Sequence, residues 1–144
     1  MKTNRFNPLL AALLVSVKAA FAQYPDWKGH GSLFLNTTQS GANLPAGTSV
    51  EGFPVLIRLH KEFFKFTEAK PDGSDIRFSR AGAPLAFQIE HWDAPSGTAS
   101  IWVRVPNIKG NARQELKIHW GKPEATSESN GKSVFNDSNG YLSV

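Results

Sequence analysis

The sequence predicts an all-β protein: an antiparallel β-sandwich of the jelly-roll or immunoglobulin-like kind, placed after an N-terminal signal peptide. Three observations carry this expectation. From residue 23 onward apolar residues recur with period two rather than 3.6, the alternation of a half-buried strand. Clusters of Gly, Pro, Asn and Ser punctuate the runs at short intervals, as sandwich turns require. No stretch carries the long amphipathic pattern of a surface helix. The 144 residues, 40% hydrophobic and 19% charged, suit one folded domain and are too apolar for a disordered chain.

Residues 1–22 have the order of an export signal. Lys2 and Arg5 form a basic start, Leu9 to Val17 an apolar run, and Ala20-Phe21-Ala22 a small-x-small cleavage pattern before Gln23. The apolar run is about half the ~20 residues a spanning helix needs, so no stable membrane span is expected after cleavage. The sandwich is assigned to residues 23–123. Its strand candidates are Ser32 to Asn36, Val55 to His60, Ile76 to Ser79, Leu85 to Trp92, Ile101 to Val105 and Leu116 to Trp120. Turn signals lie between them at Gly41 to Gly47, Pro71-Asp72-Gly73, Ala81-Gly82, Pro95-Ser96-Gly97 and Asn107 to Asn111. Glu62 to Lys70 reads as a short helix or a loop whose Phe63, Phe64 and Phe66 plug the core; Phe53, Phe78, Phe87 and Trp120 are further core candidates. Residues 124–144 read as a Ser/Asn/Gly-rich linker turning toward a new strand at Tyr141-Leu142-Ser143-Val144.

The formal charge of +4 does not point to nucleic acid. Without Lys2, Arg5 and Lys18, the 16 basic residues fall to 13 against 12 acidic ones, and these are interleaved along the chain, so no electrostatic footprint remains. The absence of cysteine excludes disulfides, thiolate metal sites and cysteine nucleophiles. An exported chain of this kind suits a bacterial periplasm or exterior.

An ordered series of motifs carries a family resemblance. It runs through Phe53-Pro54-Val55-Leu56-Ile57-Arg58-Leu59, Asp72-Gly73-Ser74-Asp75-Ile76-Arg77-Phe78, Ile89-Glu90-His91-Trp92-Asp93 and Ile101-Trp102-Val103-Arg104-Val105-Pro106. It continues through His119-Trp120-Gly121-Lys122-Pro123 and Ser129-Asn130-Gly131-Lys132-Ser133-Val134-Phe135. Over about residues 27 to 144 the chain resembles the bacterial secreted family called domain of unknown function 2341. The resemblance implies a concanavalin A-like or laminin G-like jelly roll directly after this point, and a genomic neighbourhood with envelope components of the ExbB and TolQ type. It implies no activity. The expectation is of a fragment of a longer working unit.

The residues themselves argue against catalysis. Glu90 and Asp93 are three apart, which on a regular strand sets them on opposite faces and not across one glycosidic bond. His30, His60, His91 and His119 have no metal-ligand spacing, and no Gly-x-Ser-x-Gly elbow offers an activated serine. Asp72 and Asp75 around Gly73 resemble part of a calcium loop without its remaining acidic ligands; capping of backbone N–H groups in the turn is the better assignment. No catalytic residue, metal or cofactor is therefore assigned.

What remains is a face. By strand parity Arg58, Glu90, Trp92, Trp102, Arg104 and His119 point away from the core, with His60, Arg77, Gln88 and Lys117 beside them. Aromatic rings among Arg, Glu and Gln suit a sugar, whose ring stacks on the indole while polar groups reach its hydroxyls. They equally suit a protein interface, where Trp and Arg are enriched. The expected function is a non-catalytic module binding a cell-surface glycan or an envelope protein; the alternative is a docking module for the following jelly roll or an ExbB/TolQ-type complex.

Overall fold

Every alternating run becomes a strand in the computed structural model, which describes residues 24–136. The export signal and the strand expected at Tyr141 to Val144 lie outside that range. The strands are β1 (Gly29–Asn36), β2 (Ser49–His60), β3 (Arg77–Arg80), β4 (Ala83–Pro84), β5 (Phe87–Asp93), β6 (Thr98–Lys109) and β7 (Arg113–Trp120). They pair antiparallel into two sheets. One has the order β1-β7-β3-β4, the other β2-β6-β5. The protein is a β-sandwich.

Period-two alternation explains which residues meet between the sheets. Ile57 and Leu59 of β2, Ile101, Val103 and Val105 of β6 and Phe87 of β5 face Phe78 of β3 and Leu116 and Ile118 of β7, and all are buried. At one end Phe64 and Phe66 close the core, Phe66 starting a single 3-10 turn at Phe66–Glu68. Phe64 meets Trp120 edge-on at 5.0 Å, which holds Trp120 against the core, partly buried. Two expected plugs are not buried. Phe63 is 69% exposed, because the tight turn after His60, where Phe63 and Phe64 N–H both bond the His60 carbonyl, presents adjacent side chains to opposite sides. Phe53 is 40% exposed. It has inward parity but sits at the open end of the sheet, in an apolar cleft with Leu35, Leu44, Val50 and Ile108.

The pairing of β2 with β6 is interrupted at Gly52 and Pro106, which are missing from an otherwise constant register. Gly52 has φ +57°, a left-handed conformation suited to glycine. Pro106 has no N–H to give the ladder. Beyond this point the inward parity changes: Val105 and Ile108, three apart, are both buried.

The segment after β7 is fastened to the sandwich. Ala125 O accepts from Lys70 Nζ at 3.0 Å and Thr126 O from Arg77 Nη2 at 2.7 Å. Asn130 N–H then bonds Phe87 O at 2.8 Å, and Ser129 Oγ accepts from Ile89 N–H at 2.8 Å. A helical turn at Gly131–Val134, N-capped by the Asn130 side chain, buries Val134.

Candidate binding face

The six predicted face residues do not share one surface. Arg58, Trp102 and Arg104 stand on the outer face of the three-stranded sheet, on β2 and β6, with Gln88 of β5 directly across from Trp102. Glu90 lies at a β-bulge on β5. Ile89 pairs Ile101, but His91 pairs Ser100, so one residue is left over between them. An extra residue shifts the parity of everything after it. Trp92 therefore lies opposite Ala99 on the inner side, at 5.1 Å from the Phe66 ring and 6.0 Å from Phe64, and does not belong to the outer face. His91 takes the outward place that plain alternation gave to Trp92. A bulge leaves no composition signal here, since Ile-Glu-His-Trp alternates poorly in either register.

His119 is on the other sheet altogether. It points outward from β7 as parity requires, yet it is only 9% exposed, because Tyr24 packs on it at 4.8 Å. Its Nε2 shares a 2.8 Å hydrogen bond with Ser79 Oγ. Burial pushes the imidazole below its usual pKa, with further lowering from His30 and Lys117. Tyr24 in turn has its hydroxyl pKa raised, first by burial and then by Glu128. Arg77, also expected on the open face, is 3% exposed. Its guanidinium lies 5.5 Å from the Trp27 ring and pairs with Glu128 at 3.1 Å. Neither covering segment, at 24–28 or 122–128, is adjacent in sequence to what it covers.

The acidic turn is structural. Asp72 Oδ1 accepts from Ser74 N–H at 3.0 Å. Asp75, 1% exposed, accepts from Lys70 N–H at 2.9 Å through Oδ1, and from Gly121 at 2.7 Å and Lys122 at 3.2 Å through Oδ2. Its oxygens are committed to backbone donors. Asp93 Oδ1 likewise accepts from Ser96 N–H in the β5–β6 turn, and its pKa is lowered first by the Ser96 side-chain hydrogen bond and then by that backbone bond.

On the outer face of the three-stranded sheet, Trp102 meets Phe135 edge-on, centroids 5.5 Å apart at 71°. Arg104 Nη1 reaches Ser133 O at 3.4 Å. The Gly131–Val134 turn thus rests over part of the face, leaving Leu56, Arg58, Glu90, His91 and Ser100 beside it. A separate groove of about 630 Å³ opens at the β7 end of the sandwich, lined by Trp120, Glu68, Lys28, Lys70 and Gly29. There Trp120 Nε1 donates to Glu68 Oε2 at 3.3 Å. The carboxylate is held below its usual pKa, first by the Lys65 hydrogen bond and then by that of Trp120. Sequence reasoning placed Trp120 in the core and did not find this groove, which depends on the distant 66–71 segment.

Residues 72–140 match the family model described as Domain of unknown function (DUF2341). Over that stretch, from the Asp72 turn through the helical turn at Gly131–Val134, the chain is similar to this family. No curated protein and no solved structure matches the sequence.

Proposed function

We propose that the protein is an exported, non-catalytic β-sandwich module that binds a partner protein at the bacterial envelope through the outer face of its β2-β6-β5 sheet. The observation that carries this reading is the Trp102–Phe135 contact. The ring that plain parity offered to a sugar is used for protein-type packing, and an edge-on aromatic pair contributes about 1 kcal/mol beyond its buried area. With Trp92 packed against the core, the remaining residues of the face are Leu56, Arg58, Glu90, His91 and Ser100, an amphipathic set suited to a polypeptide surface. The turn and backbone duties of Asp72, Asp75 and Asp93 support a non-catalytic role, and the basic-apolar-small pattern of residues 1–22 supports export.

The test is site-specific photo-crosslinking in the full-length protein in its own cell. A crosslinker at position 58, 91 or 100 is expected to trap one protein, and a crosslinker at Ser32 or Glu115 on the opposite sheet is not. Equal or absent capture from both faces overturns the reading. A second reading, glycan binding, is favoured by the Trp120–Glu68–Lys28 groove; retention on polysaccharide that is lost in Trp120→Ala and kept in Trp102→Ala selects it.

A further inference from the structure

Residues 24–28 cross the outer face of the β1-β7-β3-β4 sheet as a strap, and its two ends are held by different chemistry. The Trp27 end is held by a backbone acceptor and by cations. Trp27 Nε1 donates to Asp75 O at 2.7 Å, the Arg77 guanidinium lies 5.5 Å and Lys122 Nζ 4.6 Å from the indole ring, and Asp26 pairs with Lys122 at 3.2 Å. The Tyr24 end rests on an imidazole. Its ring lies 4.8 Å from that of His119, tilted by 53°. A turn joins the two ends: Trp27 N–H donates to Tyr24 O at 3.2 Å, and the two rings meet edge-on at 4.9 Å.

The groups that face His119 are mostly basic. Antiparallel pairing sets His30 of β1 on one side of it and Arg77 of β3 on the other. Lys117 stands two residues along β7 on the same face, and Ser79 of β3 shares the 2.8 Å hydrogen bond with Nε2. Glu128, the acidic group from the segment after β7, is paired with Arg77 at 3.1 Å. A proton on His119 therefore adds charge to a row that already holds Arg77 and Lys117, under a tyrosine ring that excludes water. The imidazole pKa is lowered, first by burial and then by His30 and Lys117, so the neutral form is the one that fits beneath Tyr24. Linkage fixes the sign: docking of Tyr24 desolvates the imidazole and disfavours its proton, so a bound proton weakens docking by the same factor.

We propose that residues 24–28 are an acid-released strap: protonation of His119 lifts Tyr24 from the sheet while Trp27 stays anchored, and the His119–Ser79 pair opens to solvent. The strap lies on the sheet opposite the proposed partner-binding face and acts whether or not that face is occupied.

The test is hydrogen exchange on the full chain from about pH 7.5 to about pH 5, the range in which histidine changes charge, each rate divided by the intrinsic rate at that pH. Protection of the Trp27 amide, which reads the bond to Tyr24 O, is expected to fall at least about fivefold, the low end of a typical coupling between two sites. The Trp27 indole N–H and the Leu85 amide, bonded to Phe78 O on the same sheet, are expected to keep theirs. Loss at all three sites is global unfolding and overturns the proposal. His119→Gln is expected to keep the Trp27 amide protected throughout, and His30→Gln to retain the transition; the opposite pattern, or no transition in the wild type, overturns it. Tyr24→Ala reads the reciprocal effect. With the ring removed, the His119 titration, followed by imidazole chemical shift, is expected to move up toward the usual histidine value, and a titration that stays in place refutes the coupling.

Discussion

Replacing Asp75 by Asn removes one charge and leaves the shape of the side chain, and it is expected to destabilise the sandwich severely. Asp75 is 1% exposed and gathers three backbone donors from two places, Lys70 on one side and Gly121 with Lys122 on the other. Its own carbonyl accepts from Trp27 Nε1 at 2.7 Å. An Asn has one acceptor oxygen in place of two. Whichever way it turns, its amide N–H₂ faces donors on one side and leaves at least one N–H unsatisfied. A hydrogen bond to a charged group contributes about 1.5–3 kcal/mol, and an unpaired buried donor costs a similar amount. The expected loss is therefore about 2–4 kcal/mol, with a Tm decrease of roughly 10 °C for a domain of this size. Urea titration of wild type and Asp75→Asn, with equal m-values, measures it. A loss below about 0.5 kcal/mol, the range of an ordinary surface substitution, refutes the assignment of Asp75 as the tie between the 70-turn and the end of β7.

Deleting Glu90 removes the bulge residue and leaves one-for-one pairing, with His91 opposite Ser100 and Trp92 still inward opposite Ala99; the loss is expected to stay well below the roughly 3–5 kcal/mol of a core Trp→Ala change, and a red shift in tryptophan emission refutes the bulge. Trp92→Phe is also expected to cost less than a core Trp→Ala change, because the Trp92 Nε1 is buried without a partner among the described residues. Gly73→Ala places a methyl 2.6 Å from the Trp92 ring at φ +69°. Left-handed strain and overpacking together predict about 2–4 kcal/mol in the same titration. His119 has a native pKa below its unfolded value near 6.5, so its neutral form is favoured on folding. Stability linked to it is complete above the unfolded pKa and declines as pH falls from there through the native value. His119→Gln should flatten that part of the stability–pH curve, and an unchanged slope counts against a buried neutral imidazole.

Strand positions were readable because a two-residue repeat needs only local sequence. Val55 to Leu59, Ile101 to Val105 and Leu116 to Ile118 stand as their alternation requires. The turn role of Asp72 and Asp75 was readable too, since Pro71 and Gly73 bracket a chain reversal that needs caps. Side-chain direction after Glu90 was not, because one unpaired residue reverses every later parity and is registered only against β6. The surroundings of His119 and Arg77 were equally hidden: Tyr24, Trp27 and Glu128 reach them from 40 to 100 residues away along the chain.

By itself, the sequence determined that this chain is all-β, nearly neutral without its first 22 residues, free of cysteine chemistry and similar over residues 72–140 to a family of unknown function. Tertiary structure alone decided which outward residues remain open. Parity names a face, but exposure depends on what other segments lay across it. Phe87 O and Ile89 N–H on β5 are bonded by Asn130 and Ser129, and Trp102 and His119 are covered by Phe135 and Tyr24, all far away in sequence. Local periodicity carries no information about those long-range contacts, since they arise only when the two sheets close on a shared core.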